Sequence, residues 1–309
     1  MSEARRRFEC FGGLVTLSVL GPASMEPERA TAAAEARLLA AHRQLSRFLP
    51  DSELSRLNRD PRRRVPADPL LLRLASAAGE AGELTGGLVD PTLLGEIEAA
   101  GYRDSMQGRP PARPPAEPRA VAPAGRSSAR SWAKLSVDWR AGAIERPPGI
   151  EIDSGGIAKG LLADEVGAML AEFPAYAVDC CGDVRIGGSA GRQREIRVED
   201  PFGGEPICSL RVSDGGVATS GVTRRSWEGA GGAPAHHLLD PATGRPAFTG
   251  VVQATALAPS ALLADVHAKW ALLSGPELAP SRLPHGGVLV LADGGVETVV
   301  PRTPIETAA

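Results

Sequence analysis

The residues best suited to chemistry fall in three stretches of the chain. The first is Glu151-Ile152-Asp153-Ser154-Gly155-Gly156-Ile157-Ala158-Lys159-Gly160. It reads as a strand, a glycine turn and a helix whose apolar face is Leu162, Val166, Met169 and Leu170. Glycines let the backbone approach a ligand closely, and the unpaired N–H groups of a helix start attract phosphate oxygens. Asp153 suits a ribose or a base edge, and Lys159 suits a phosphate. Taken alone, a Gly-Gly turn into a helix is also an ordinary connection.

The second stretch pairs Gly216-Val217-Ala218-Thr219-Ser220-Gly221 with His236-His237-Leu238-Leu239-Asp240-Pro241-Ala242-Thr243-Gly244. Asp240 to Gly244 is turn chemistry, with proline at a first central position and glycine closing the turn. His237 is the sharper residue, because an imidazole can carry a proton near neutral pH, although a lone histidine is more often structural. Neither His236 nor His237 has carboxylate partners at zinc-ligand spacing, which argues against zinc.

The third stretch is Ala264-Asp265-Val266-His267-Ala268-Lys269-Trp270. Asp265 and Lys269 are four apart and share a helix face. By themselves they read as a surface ion pair, worth roughly 0.3 to 0.5 kcal/mol. The chain has only three lysines, Lys134, Lys159 and Lys269. Two of them lie in these chemical stretches.

Composition limits what such residues can serve. A chain of 309 residues with 43% apolar residues, 23% charged residues and a net charge of −3 can bury a substantial core in one large domain or two joined lobes. It has neither the composition of a disordered chain nor the basic tract of a nucleic-acid binder. Cys10, Cys180, Cys181 and Cys208 are too few for a disulfide scaffold and lack C-x-x-C spacing. No apolar run reaches the roughly 20 residues of a membrane span. Arg5-Arg6-Arg7 before an apolar run superficially resembles a secretory signal, but Gly12 and Gly13 interrupt that run. Val15, Leu17 and Val19 then alternate as on a half-buried first strand, so a cytoplasmic location is expected, with an extracytoplasmic one as the alternative.

The elements that must position the chemistry follow from periodicity. Helices are expected over Pro27 to Phe48, from the Asp68-Pro69 start to Gly86-Gly87, over Ile157 to Leu170 and over Leu262 to Leu273. Strands are expected at Ile144 to Asp153, Ala175 to Asp179, Glu195 to Val198, Ile207 to Val212, Val251 to Leu257 and Val288 to Leu291. Their irregular order argues for an α+β fold over a regularly alternating parallel sheet. Residues 103–131 are rich in Pro, Arg, Ala and Gly and read as an irregular surface excursion within a single domain of residues 1–309.

Taken in order, these segments resemble the ApbE family of FAD:protein FMN transferases across nearly the whole chain. Ser46-Arg47-Phe48, Asp51-Ser52-Glu53-Leu54-Ser55 and Leu57-Asn58 look like its early serine and asparagine pattern. Leu88-Val89-Asp90-Pro91-Thr92 is similar to its FDPT-like turn, and Gly101-Tyr102 to the Gly-aromatic pair that follows. Asp153 to Gly160 is similar to D-x-G-x-I-A-K-G, and Asp179-Cys180-Cys181-Gly182-Asp183 to N-x-G-G-D. Thr219-Ser220-Gly221 and His237 to Gly244 are similar to the TSG and H-I-I-D-P-x-T-G signatures.

The resemblance implies antiparallel sheets flanked by helices, in two closely joined lobes around a flavin cleft. It implies that FAD is the substrate, that FMN passes to a Ser or Thr hydroxyl of an acceptor protein, and that AMP leaves. Phe11, Leu88, Val89, Asp90, Asp153, Lys159, Thr219, Ser220 and Leu239 would then contact FAD. His237 would take the acceptor proton, and the Gly156 carbonyl and the Asp265 carboxylate would hold Mg2+. One position departs from the family pattern: the helix motif D-x-x-x-T supplies a threonine hydroxyl to the metal, and this chain has Lys269 there. A protonated ammonium has donors and no acceptor. Either its charge replaces part of the ion's electrostatic work, or the chain binds FAD without transferring FMN. Cys181 in place of a glycine and Thr223 in place of an aromatic are lesser departures.

Overall fold

A computed structural model of the chain describes residues 2–105, 121–229 and 232–303. An eight-stranded sheet forms its backbone, in the spatial order Glu3–Cys10, Gly13–Leu20, Ala175–Cys180, Asp183–Gly187, Gly215–Gly221, Val251–Ala258, Gly287–Leu291 and Val296–Val299. Every neighbouring pair is antiparallel. The fold is therefore α+β, as the order of elements in the sequence implies.

Six helices are described: α1 (Pro27–Leu45), α2 (Glu53–Arg59), α3 (Pro69–Thr85), α4 (Leu94–Ala99), α5 (Ala158–Met169) and α6 (Ala261–Ser274). α1, α5 and α6 pack on the sheet in that order, and α5 touches both of its neighbours. The stripe Ala30, Ala34, Leu38, Ala41 and Leu45 fixes the buried face of α1. α6 is apolar nearly all round and is buried accordingly. Gly160 permits the close approach of α5 to α6, since a Cβ there would stand 2.7 Å from the Leu262 Cα and 2.8 Å from the Ala261 carbonyl oxygen.

Strand alternation assigns the two faces of the sheet. On Asp183–Gly187, Asp183 and Arg185 reach the side chains of α5, while Val184 and Ile186 pack with Val212, Ile196 and Leu210 of the Arg194–Val198 and Cys208–Val212 ribbon.

Three sequence expectations change. The strand expected from the alternation of Val15, Leu17 and Val19 is present as Gly13–Leu20 with those side chains buried, but it is the second strand of a hairpin whose first strand, Glu3–Cys10, carries Arg5, Arg6 and Arg7. Its two-residue turn puts Phe11 at φ 55° and Gly12 at φ 73°, the geometry that matches strand twist, with a bulky residue where glycine or asparagine is usual. The expected strand from Ile144 to Asp153 stops at Glu145, because Pro147 and Pro148 cannot donate to a ladder. Beyond it, the Asn58 side chain takes the place of a partner strand, exchanging two 2.9 Å hydrogen bonds with the Ile152 backbone. α1 ends at Leu45, before Phe48, where Ser46 turns to extended geometry.

The excursion expected at 103–131 falls partly outside the described residues. Within its described part, the amides of Ala122 and Ala124 donate to the carbonyls of Phe248 and Leu273.

Candidate active site

A cavity of about 570 Å3 opens between the Phe11 turn, the C-terminal end of α1, the Leu88–Pro91 turn, the start of α5, residues 224–226, residues 237–239 and α6. That volume lies within the roughly 300 to 1,000 Å3 of small-molecule sites. The cavity brings together Phe11, Leu88, Val89, Asp90, Asp153, Gly156, Lys159, His237, Leu239 and Lys269 of the sequence-derived set. Asp265 is 2% exposed and lies behind the wall, hydrogen-bonded to Lys269. Thr219 and Ser220 sit on the Gly215–Gly221 strand and are not among the lining residues; the Thr219 hydroxyl hydrogen-bonds that of Thr255 at 2.8 Å.

Long-range hydrogen bonds assemble the Asp153 turn. Its amide donates to the Pro91 carbonyl at 2.8 Å, which joins it to the Asp90 turn. Ser154 Oγ donates to the Leu45 carbonyl at the end of α1 at 2.7 Å. Asp153 Oδ1 accepts the Gly155 amide at 3.1 Å, capping the helical turn that leads into α5.

Arg47 holds the same carboxylate from the other side, with its Nε 3.3 Å from Asp153 Oδ1. The guanidinium also donates to the Tyr102 carbonyl at 2.7 Å and lies 4.2 Å over the Phe48 ring and 4.7 Å over the Tyr102 ring. This buried clamp explains why Ser46-Arg47-Phe48 and Gly101-Tyr102, far apart in sequence, belong to one site.

α5 and α6 carry the charged floor. Lys159 Nζ donates to Asp183, which is 1% exposed, and Lys269 Nζ donates to Asp265 one turn earlier on α6. Lys269 is 7% exposed, so the surface ion pair expected from its spacing is instead a buried one. The cause is the apolar surround of α6. Burial would lower the Lys159 pKa, but Asp183 and Asp265 outweigh it and the group is held above its ordinary value. Burial and the neighbouring Asp183 push the Asp265 carboxyl up against the pull of Lys269 and Lys159.

His237 is kept neutral. Burial lowers its pKa well below the ordinary value, and the charges of Arg225 and Lys269, with His236, act in the same direction. Two buried polar atoms of the lining residues have no partner within the protein, His237 Nδ1 and Asp90 Oδ2. Asp90 Oδ1 meanwhile accepts the Thr92 amide at 2.9 Å, and burial raises the carboxyl above its usual range. Unpaired buried polar atoms are costly, so their concentration on one cavity marks a place for ligand groups.

Sequence reasoning missed Arg224, Arg225 and His42 on the lining. Arg225 donates to the Phe11 carbonyl at 3.3 Å, and His42 meets Phe11 edge to face at 5.3 Å. Two adjacent arginines just after the Thr219-Ser220-Gly221 motif were the available signal. His42 offered none, being one polar residue within an amphipathic helix.

The residues present do not fit a resident divalent ion. Asp265 Oδ1 is already taken by an ammonium, which leaves Oδ2 as that carboxylate's one unpaired oxygen, and Lys269 has no lone pair to offer while protonated. Among the described residues, no three His, Cys, Asp or Glu side chains group as a metal site would require.

Fold and cavity together define an α+β protein with a concave cavity of small-molecule size whose wall carries several cationic side chains. The chain belongs to the ApbE family, whose sequence model matches residues 11–289. An FAD:protein FMN transferase of Treponema pallidum is 33% identical over 146 residues, which cover 42% of this chain and 39% of that protein. One from Klebsiella pneumoniae is 26% identical over 281 residues, covering 89% of this chain and 79% of that protein. Among solved structures, the ApbE protein of Thermotoga maritima matches with a TM-score of 0.79 at 26% identity, covering 96% of this chain and 97% of that one. The flavin transferase ApbE of Vibrio cholerae matches with a TM-score of 0.72 at 21% identity over 97% of both chains, a likeness of fold.

Proposed function

We propose that this chain transfers FMN from FAD to a Ser or Thr hydroxyl of an acceptor protein. The observation that carries the reading is the convergence of the Asp153 glycine turn, Lys159, His237 and Lys269 on one cavity, in a member of a family whose curated relatives are named for this activity.

The apolar lining, which includes Phe11, Phe48, Leu88, Val89 and Tyr102, suits the flat ring system of a flavin. The backbone around Gly155 and Gly156 and the cationic side chains suit the pyrophosphate. Asp90 Oδ2 offers an acceptor, or a donor when protonated, to a ring or ribityl group.

In the transfer step, the acceptor hydroxyl oxygen attacks the phosphorus that carries the ribityl chain. The bond from that phosphorus to the bridging oxygen breaks, and AMP leaves with the bridging oxygen. The hydroxyl proton passes to His237, whose neutral imidazole has Nδ1 unpaired. Catalysis rests on positioning and charge neutralisation, because phosphoryl transfer asks little covalent chemistry of the protein. No step is routed through a metal, since the donor set does not fit one.

The test is to incubate the purified chain with FAD and a bacterial soluble protein extract, with and without Mg2+. AMP is quantified, and the proteins are denatured and scanned for flavin fluorescence. Covalent flavin on a protein band with matching AMP supports the reading. FAD bound with neither product, in either condition, contradicts it.

A further inference from the structure

The cavity wall is unbalanced in charge. Arg47, Lys159, Arg224, Arg225 and Lys269 line it against two carboxylates, Asp90 and Asp153. Asp153 is held by Arg47. Asp183 and Asp265 neutralise the two lysines from behind, each through a hydrogen-bonded ion pair. Arg224 and Arg225 then add two guanidinium charges that those carboxylates do not offset.

Lys269 is not a mobile surface lysine that could swing aside. Its side chain is buried along α6, anchored on Asp265 and flanked by Ala268 and Ala271, which are fully buried. A divalent ion using Asp265 would find only Oδ2 unpaired, and would have to settle there between the ammonium on Oδ1 and Lys159, whose charge already reaches Asp265. An ammonium is a compact point charge with three donors, suited to a phosphate oxygen. The geometry points to a metal-independent pyrophosphate site, in which Lys269 Nζ, held by Asp265, and the Arg225 guanidinium supply the positive charge that neutralises the dinucleotide. This inference rests on the transferase reading for the identity of the ligand, but its test also stands on binding alone.

Two measurements on chelator-stripped, full-length protein decide it. The first is electron paramagnetic resonance with Mn2+, with and without saturating FAD and corrected for Mn2+ bound by FAD itself. The parent should hold no stoichiometric Mn2+ in either condition, whereas Lys269→Thr should gain one site. Stoichiometric Mn2+ in the parent overturns the proposal.

The second compares FAD and riboflavin binding by quenching of flavin fluorescence. Asp265→Asn with Lys269→Met removes both charges together, so no carboxylate is left buried without a partner. It should weaken FAD binding about tenfold or more, as expected for loss of a charge-assisted hydrogen bond, and leave riboflavin binding within about twofold. Arg225→Met should show the same selectivity, and it keeps the test available if the double variant does not fold. Equal loss for both ligands, or no loss for either, overturns the proposal.

AMP release by the parent, where present, should be the same in EDTA as in Mg2+, and abolition by EDTA contradicts the inference. If AMP is released under neither condition, the transferase reading fails while the binding results still decide this one.

Discussion

Asp164 Oδ2, on α5, accepts the backbone N–H of Leu262, in the first turn of α6, at 2.9 Å. Its other oxygen accepts the Ala261 amide at 2.7 Å, so one carboxylate satisfies two of the four open donors at the α6 N-terminus. Ser260 Oγ takes a third, from Leu263. This is how α5, which carries Lys159, and α6, which carries Lys269, are locked in register. Asp164→Ala should cost about 1 to 2 kcal/mol of stability, the upper range for losing a cap. Urea unfolding checks it, and FAD affinity should fall with it because the two lysines lose their fixed separation.

His237→Ala should lower AMP release by about 10² to 10⁴-fold, the usual contribution of a positioned general base. The FAD dissociation constant should stay within about twofold, because in the proposed transfer the imidazole acts on the acceptor hydroxyl. Steady-state AMP release and fluorescence titration separate the two effects.

Arg47 serves Asp153 and the Tyr102 carbonyl while stacking on two rings, so its planar shape matters as much as its charge. Arg47→Lys should destabilise the protein by about 1 to 3 kcal/mol, and Arg47→Ala, which leaves Asp153 without its partner, by about 3 to 5 kcal/mol. Thermal unfolding of both variants gives the ranking. A lysine variant as stable as the parent would show that charge alone suffices.

His236 lies behind the site, edge to face with Phe248 at 4.9 Å, and accepts the Leu238 amide at 3.3 Å. Burial lowers its pKa from 6.5 to about 4. The native state keeps the ring neutral while the unfolded chain protonates it near pH 6.5. Its share of stability is therefore full above that pH and drains away as pH falls toward about 4. The loss is on the order of 3 kcal/mol across that window. His236→Gln should flatten the stability profile between pH 6.5 and 4 by about that amount, measured by urea midpoints at each pH.

What could be read from the sequence was whatever depends on local pattern. α5 and α6 announce themselves by apolar spacing, and Lys159 and Lys269 by their rarity. The Ala175–Cys180 and Val251–Ala258 strands fall within a residue of their expected ends. What could not be read depends on partners distant in the chain. Asn58 stands in for a strand opposite Ile152, 94 positions away, and Asp164 caps a helix that begins 97 positions later. Phe11 adopts a left-handed turn conformation that its type disfavours, so the hairpin it closes was hidden inside one apolar run. The burial of Asp265 and Lys269 was likewise invisible at i, i+4 spacing. It is set by α6 lying between the sheet, α5 and the cavity.

The proposal that the Asp153 to Lys159 turn and α6 converge on the pyrophosphate of FAD is tested most directly by a crystal structure of the chain with FAD. Lys269 Nζ should stand about 2.7 to 2.9 Å from a phosphate oxygen, the length of a charge-assisted hydrogen bond, with Lys159 and the Gly155 and Gly156 backbone on the same pyrophosphate. FAD bound elsewhere, or in this cavity with its phosphates out of reach of both lysines, would contradict it.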